Sequence, residues 1–185
     1  MNIFYLDPNP KQCAAQHVDK HCVKMILEYA QLLSTAHRVL DGVSTIDRGT
    51  ATGRQRTTYI LPDSRDTVLY RTTHINHPSA IWVRQSDKNY IWLLQLLDSL
   101  CKEYTYRYGK VHKVEREGLL KQLYTLPTNI PNGEFGDPTP AMPDEYKATN
   151  SIQSYHNYYN GPKAHFAKWT KRPTPSWFSK VENPI

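Results

Sequence analysis

The feature that most constrains this 185-residue chain is a run of apolar residues at three- and four-residue steps between positions 18 and 40. This spacing places them on one side of an α-helix and predicts an amphipathic helix of unusual length. Asn9 is a suitable N-cap and Pro10 suits a first helical turn, so we expect one helix from there to Asp41. Gly42 suits the left-handed position that follows many helices.

The rest of the chain predicts further helices joined by irregular segments. They are expected from Pro78 to about Gln85, from Ser86 or Asp87 to about Tyr108, more weakly from about Val114 to Tyr124, and from about Asn150 to Tyr159, with a short helical turn over 163–170. Residues 43–66 are polar and basic and predict a mobile loop, and the proline-rich residues 126–147 predict an arm without helix. No convincing set of alternating strands is present.

These elements predict a mainly α fold. We expect a compact helical bundle in a single domain over residues 1–185, with a long N-terminal helix and a proline-rich, aromatic C-terminal arm. Cys13, Cys22 and Cys101 form an odd set without paired spacing, so reduced, core-like thiols are expected. No apolar run approaches the roughly 20 residues of a membrane helix. With no basic leader before an apolar stretch, the cytoplasm, a host cell's if the chain is viral, is the expected location.

The charge balance favours an anionic partner. The chain has 23 Lys and Arg against 17 Asp and Glu, a formal net charge of +6. This excess suits DNA or a phosphate-bearing nucleotide, although a basic protein without such a partner is the plainer interpretation. No Walker loop, dinucleotide fingerprint, nucleophile elbow or cysteine zinc motif is present, so no cofactor is predicted. The oligomeric state is not predicted.

One face of the first predicted helix concentrates titratable groups. Its members, three or four positions apart, are His17, Lys20, His21, Lys24 and Glu28. If they were all protonated, the histidines and lysines would repel one another, so we expect them to line a cavity that binds an anion, with Arg38 on its floor. The plainer interpretation is a solvated face on which Glu28 pairs with Lys24. The two histidines also have the spacing of paired metal ligands, which leaves a metal site open.

Two further groups of residues point to phosphate or base recognition. His74 and His77 precede the helix that starts at Pro78, where free backbone N–H groups can meet a phosphate beside Arg84. The alternative is that Asn76 or His77 only caps that helix. Near the end of the chain, aromatic and basic residues alternate, as on surfaces that stack bases, although an aromatic core layer is the alternative. The candidates there are Tyr155, Tyr159, Lys163, His165, Trp169 and Arg172.

Three patches of sequence carry a resemblance. They are Ala14-Ala15-Gln16-His17; His77-Pro78 with Trp82 and a helix ending at Arg107-Tyr108-Gly109; and an end containing Tyr155-His156-Asn157-Tyr158-Tyr159, Trp169, Arg172-Pro173 and Pro175-Ser176-Trp177-Phe178. In this order they resemble the phage-type pyrimidine-dimer DNA glycosylases. The resemblance implies a compact helical fold that binds DNA, and a bacteriophage source.

The resemblance also implies a chemistry, in which the N-terminal α-amine attacks a sugar C1′ and a glutamate on the first helix assists. Aligned on Ala15-Gln16-His17, this chain has Lys24 in place of that glutamate. Asn2 is too bulky for normal removal of Met1, so the family's small N-terminal residue is missing. We therefore expect the fold to be kept and the reaction to differ. Crowding by Lys20 and His21 would favour a neutral Lys24 that can form a Schiff base.

Three functions are therefore open. The first is a DNA glycosylase-like protein that binds or processes DNA containing an altered or flipped pyrimidine, with Lys24 and His21 as catalytic residues. The second is a protein that binds or hydrolyses a small cyclic or signalling nucleotide and in this way acts in anti-host defence. The third is a metal-dependent hydrolase, in which His17 and His21 share the ion with His74 or His77.

Overall fold

A computed structural model describes residues 1–48, 51 and 53–179. Within these residues the fold is mainly helical, which confirms the predicted class. The helices are α1 Pro10–Gln16, α2 Asp19–Asp41, α3 Arg65–Val68, α4 Pro78–Gln85, α5 Asp87–Tyr108, α6 Lys113–Arg116, α7 Leu119–Leu123 and α8 Ser151–Asn160, and the strands are β1 Val43–Arg48 and β2 Gln55–Ile60. Short 3₁₀ turns lie at Asp144–Tyr146 and Ala164–Phe166.

The predicted first helix is in fact two helices. The Asn9 side chain accepts hydrogen bonds from the start of α1, as expected, but α1 ends at Gln16 and α2 begins at Asp19. The chain is extended at His17, whose carbonyl oxygen accepts a hydrogen bond from the Arg107 guanidinium at 2.8 Å. Because a residue far along the chain satisfies this helix end, the apolar spacing continues through the break without revealing it.

The end of α2 also differs from the prediction. Gly42 has φ −85° and ψ 165°, so the expected left-handed conformation is wrong. The chain instead continues directly into β1. A Cβ at this position would collide with the Arg38 carbonyl oxygen. Glycine is therefore needed here for close backbone approach, not for a positive φ.

The predicted mobile loop over 43–66 contains a β-hairpin. Strands β1 and β2 pair antiparallel, with Val43 opposite Ile60 and Arg48 opposite Gln55. Most of their side chains are exposed, so no buried face produced the alternation that identifies strands in a sequence. Residues 49, 50 and 52, which also belong to the predicted loop, lie outside the described residues.

The predictions for α4 and α5 are confirmed. Helix α4 spans Pro78–Gln85 as expected, and the Ser86 hydroxyl caps α5 by accepting from the Asn89 N–H. Helix α5 ends at Tyr108, and Gly109 follows with φ 68°. Helix α2 packs against both α4 and α5 and buries the central part of the core.

The segments after α5 agree with the sequence in outline. The weak helix expected over 114–124 is divided into α6 and α7 by Gly118, whose φ is 86°. The predicted arm over 126–147 has no α-helix in the structure and lies across the fold, where Asp41 accepts hydrogen bonds from the Thr128 and Asn129 N–H groups. Helix α8 begins after the predicted cap Asn150. The helical turn expected over 163–170 is reduced to three residues.

The cysteines and the absence of a long apolar run gave two further expectations. Cys13, Cys22 and Cys101 are free and fully buried, which confirms their assignment as core thiols. Burial raises the pKa of each thiol to about 12, so they are unreactive near neutral pH. Among the described residues, no helix combines the length and apolar character needed to cross a membrane.

Candidate nucleic-acid interface

His17 lies in the core, so it neither lines the expected cavity nor belongs to a solvated face. Its side chain is fully buried between α1 and α2. Nδ1 donates to the Cys13 carbonyl oxygen at 2.7 Å, and Nε2 accepts from the Tyr29 hydroxyl at 2.7 Å. Burial lowers the pKa of His17 to about 4, with a smaller contribution from Arg107. The ring is neutral, and neither nitrogen is free for a ligand or a metal.

His21 is also buried, at 5 % exposure, although it was expected to face a cavity. Its Nδ1 accepts from the Tyr159 hydroxyl at 2.7 Å, and its ring stacks on Phe4 with centroids 4.1 Å apart. Burial lowers the pKa of His21 to about 2, and His17 and nearby lysines add to the effect. A ring that stays neutral in this way is not an acid that can donate a proton to a leaving group near pH 7.

The lysines of the same region do come together at the surface. The lysine cluster consists of Lys20, Lys24 and Lys163. The Nζ atom of Lys20 lies 4.7 Å from the centre of the Phe166 ring, and that of Lys163 lies 5.0 Å from the centre of the Tyr158 ring. Burial, and then Lys24, lower the pKa of Lys163. Across the described part of the chain, no carboxylate lies within 4.0 Å of any of the three.

Glu28 and the Met1 amine lie close together, although the sequence indicated Glu28 only as a partner for Lys24. The Met1 nitrogen lies 3.7 Å from Glu28 Oε1, and Glu28 has a side-chain exposure of only 18 %. Glu28 also follows Lys24 by one turn of α2. Its carboxylate therefore lies close to the Met1 amine and one helical turn from the Lys24 amine. The signal was present in the sequence, because Glu28 shares a helical face with the residue that aligns with the expected glutamate.

Of the two histidines before α4, His77 lies near the Met1 amine, whereas His74 lines a cleft under the hairpin. His77 Nδ1 accepts from the Ser79 N–H at 3.1 Å, which confirms the capping alternative for His77. Burial is the main cause that lowers the pKa of His77, and the charges of the Met1 amine and of His74 lower it further. His74 is exposed and has φ 49°, and its Nδ1 lies 2.7 Å from the Thr73 hydroxyl. A phosphate contact by His74 or His77 remains a prediction.

Arg38 differs from the free cation that was expected, whereas a phosphate contact by Arg84 remains a prediction. Arg38 is 4 % exposed, and its guanidinium donates to the Asp66 carboxylate and to four carbonyl oxygens, those of Tyr59, Asp66, Leu69 and Tyr70. All of its donors have partners, so Arg38 holds the hairpin and the segment after α3 in place and is not a free cation on a pocket floor. Arg84 is half-buried and donates to the Ala80 carbonyl oxygen at 3.3 Å.

The aromatic residues near the end of the chain are divided between the core and the surface. Tyr155 and Tyr159 are fully buried and have hydrogen-bonded hydroxyls, which confirms the core alternative for these two. The Trp169 indole donates to the Gln16 carbonyl oxygen at 2.7 Å. Arg172 forms an ion pair with Glu103 at 2.9 Å.

The remaining basic residues of that group stay near the lysine cluster. Lys163 belongs to the cluster, and His165 is exposed beside it on the 3₁₀ turn. The aromatic rings that meet the lysines, Phe166 and Tyr158, were not among the predicted stacking residues. Whether each of these side chains is buried depends on how the residues after α8 pack against the rest of the fold, and residue type alone does not specify that packing.

A metal site finds no support in the part of the chain that the structure describes. No group of three or more His, Cys, Asp and Glu side chains is arranged there to hold an ion. His17 and His21 have the right sequence spacing, but each turns toward a different tyrosine.

Comparison of the chain with protein-family models, with curated proteins and with solved structures finds no match. The resemblance to the pyrimidine-dimer glycosylases therefore remains a prediction from the sequence.

Proposed function

We propose that this protein binds DNA and processes a strand that carries an altered or flipped pyrimidine, by glycosylase-like chemistry at an amine near Glu28. The single observation that carries the proposal is the position of Glu28. This carboxylate lies 3.7 Å from the Met1 amine and one helical turn from Lys24, at the edge of the lysine cluster. An amine and a carboxylate beside a surface that attracts phosphates are the groups such a reaction requires.

The lysine cluster would supply the affinity for DNA. Three ammonium groups without carboxylate partners can each replace a counterion on the phosphate backbone. The half-buried Phe166 and Tyr158 rings lie within 5.0 Å of cluster lysines, so aromatic carbon borders the ammonium groups that would meet the phosphates. A surface of this kind suits a nucleotide that has left the duplex.

The reaction itself would be an exchange of bonds at the sugar. A neutral amine forms a bond to C1′ while the bond from C1′ to the base nitrogen breaks, and the base leaves with that electron pair and takes up a proton. Glu28 would accept the proton that the amine gives up on attack. The first product is an aminal, in which C1′ carries both the amine nitrogen and the ring oxygen O4′. The nitrogen lone pair then forms a double bond to C1′ while the C1′–O4′ bond breaks, and O4′ leaves with that electron pair and takes up a proton. Borohydride reduces the resulting ring-opened imine to a stable secondary amine, and water otherwise hydrolyses it.

The first prediction concerns this imine. Borohydride should trap a covalent adduct between the protein and an oligonucleotide with one abasic site, and peptide mapping should place it at Met1 or Lys24. Glu28→Gln should slow trapping by about 100-fold, the lower range for loss of a general base. Glu134→Gln is the matched control, because this glutamate side chain is 93 % exposed and its ion pair with Lys88 lies at the surface.

If the unaltered protein gives no adduct, the amine chemistry is excluded. An adduct whose yield is the same in Glu28→Gln would remove Glu28 from the reaction. Lys24→Gln separates the two amines, because it abolishes trapping only if Lys24 is the nucleophile.

The second prediction concerns DNA affinity. The triple variant Lys20→Gln, Lys24→Gln, Lys163→Gln should bind a single-stranded oligonucleotide about tenfold more weakly per lost contact at low salt, and the slope of log affinity against log salt should fall by about 0.7 per contact. Fluorescence anisotropy at several salt concentrations measures both.

A matched control has the same change in charge. Lys88, Lys102 and Lys147 are exposed and form ion pairs with Glu134, Asp98 and Asp144. Their triple change to glutamine should weaken binding much less. Equal effects in the two triple variants would show that only net charge matters, and the cluster would not be the interface.

A further inference from the structure

A large cleft lies at the other end of α2, under the hairpin. Its volume is about 1080 Å³, and it separates β1 and β2 from the segment that follows α3. Lys24 and Arg38 are 14 positions apart on α2, which corresponds to about 21 Å along the helix. No member of the lysine cluster lines this cleft. It is therefore a separate site from the surface described above.

The cleft has a fixed wall. Arg38 Nη1 donates to the Tyr59 carbonyl oxygen on β2 at 2.9 Å, and its Nε donates to the Tyr70 carbonyl oxygen at 2.7 Å. Arg38 also pairs with Asp66, whose Oδ1 accepts from the Leu61 N–H as well. These contacts join both sides of the cleft to α2, and they neutralise one arginine and one aspartate of its lining.

The remaining charges of the lining favour an anion. Arg56 and Arg71 are exposed, and within the described residues neither has a carboxylate within 4.0 Å. Opposing them is Asp47, the cross-strand neighbour of Arg56. Two free arginines against one aspartate leave the lining positive, and His74 adds an imidazole. Hydroxyl groups complete the lining, and they belong to Thr57, Thr58, Thr67, Thr72 and Thr73.

We propose that this cleft binds a phosphate group carried on a nucleotide. Arg56 and Arg71 would hold the phosphate oxygens, because a guanidinium presents paired N–H donors that match them. The threonine hydroxyls would bind sugar and base, and the volume accommodates a ligand of mononucleotide size. The proposal does not depend on the proposed function, because it uses none of the residues near Glu28.

Calorimetric titration with thymidine monophosphate tests this proposal, with thymidine as the ligand that lacks the phosphate. The nucleotide should bind, and thymidine should bind at least about tenfold more weakly, since the charge-assisted hydrogen bonds are lost. Arg56→Gln with Arg71→Gln should remove the difference between the two ligands. Arg48→Gln with Arg54→Gln is the matched control, because these exposed arginines belong to the same part of the chain but do not line the cleft.

The phosphate has two sources, a free nucleotide or a nucleic-acid strand, which a short oligothymidine in the same titration distinguishes. The proposed phosphate site is supported if either ligand binds the unaltered protein and the control but not the variant with both Arg56 and Arg71 changed. The ligand that binds more tightly identifies the source of the phosphate. Absence of binding, or binding that both variants retain, overturns it. Nucleotide binding should persist in the triple variant of the lysine cluster, so failure here and failure of the proposed function are distinguishable.

Discussion

Arg107→Met is expected to lower the free energy of unfolding by about 3–5 kcal/mol, the usual cost of removing one partner of a buried ion pair. The Arg107 side chain is fully buried and donates to the carboxylates of Glu103 at 2.9 Å and Asp19 at 3.0 Å. It also donates to the carbonyl oxygens of Ala15 and His17, where α1 ends. One side chain on α5 thus satisfies the break between the first two helices.

Urea denaturation of the variant measures this loss. Arg107→Lys should be intermediate, because it keeps the charge but cannot reach all four acceptors. Lys102→Met is the control on the same helix, since its ion pair with Asp98 is exposed and contributes about 1 kcal/mol or less. A change of under about 1 kcal/mol in Arg107→Met would mean that the helix break does not depend on this arginine.

Stability is expected to fall by about 5 kcal/mol between pH 6.5 and pH 5, because three buried histidines are neutral in the folded protein. Burial lowers the pKa of His17 and His37 to about 4 and that of His21 to about 2. After burial, the neighbouring charge that most affects His37 is Arg65, which donates to its Nδ1 at 3.0 Å. Protonation of His37 would place two donors against each other.

The direction follows from proton uptake. The unfolded chain binds protons at these histidines near pH 6.5 and the folded chain does not, so acid favours unfolding. The stability that they contribute is complete above about pH 6.5 and is lost as the pH falls toward about 4 for His17 and His37. Each of the three histidines accounts for about a third of the fall between pH 6.5 and pH 5.

Denaturant unfolding at a series of pH values tests this. His17→Gln should remove about a third of the pH dependence, whatever its effect on stability at pH 7. His165→Gln is the control, because this histidine is exposed on the 3₁₀ turn. Equal stability of the unaltered protein at pH 6.5 and pH 5, within about 1 kcal/mol, would contradict the assignment of neutral buried rings.

Local sequence signals located much of the helical fold. Helix α4 and the limits of α5 and α8 agree with prediction because their caps, such as Ser86 and Asn150, act within a few residues of themselves. The hairpin was missed because the exposed strands β1 and β2 carry no apolar alternation, and their pairing depends on contacts across a turn.

The candidate site was predicted less well, for the same physical reason. The spacing of His17 and His21 correctly placed them near each other, but burial depends on Tyr29 and on Tyr159, which is 138 positions from His21. The lysines of the cluster were identified from sequence, since charged side chains reach solvent whenever a helix has an outer face. Glu28 was noticed only as a partner for Lys24.

By itself, the sequence determined the mainly helical class, most helix limits, the basic character and the reduced core cysteines, because each depends on composition or on neighbours within a few positions. Only the tertiary structure decided that the first helix breaks at His17, that its histidines are buried and neutral, that Glu28 meets the Met1 amine, and that a cleft opens under the hairpin. These features arise from contacts between residues far apart in the chain, whose geometry periodicity cannot encode.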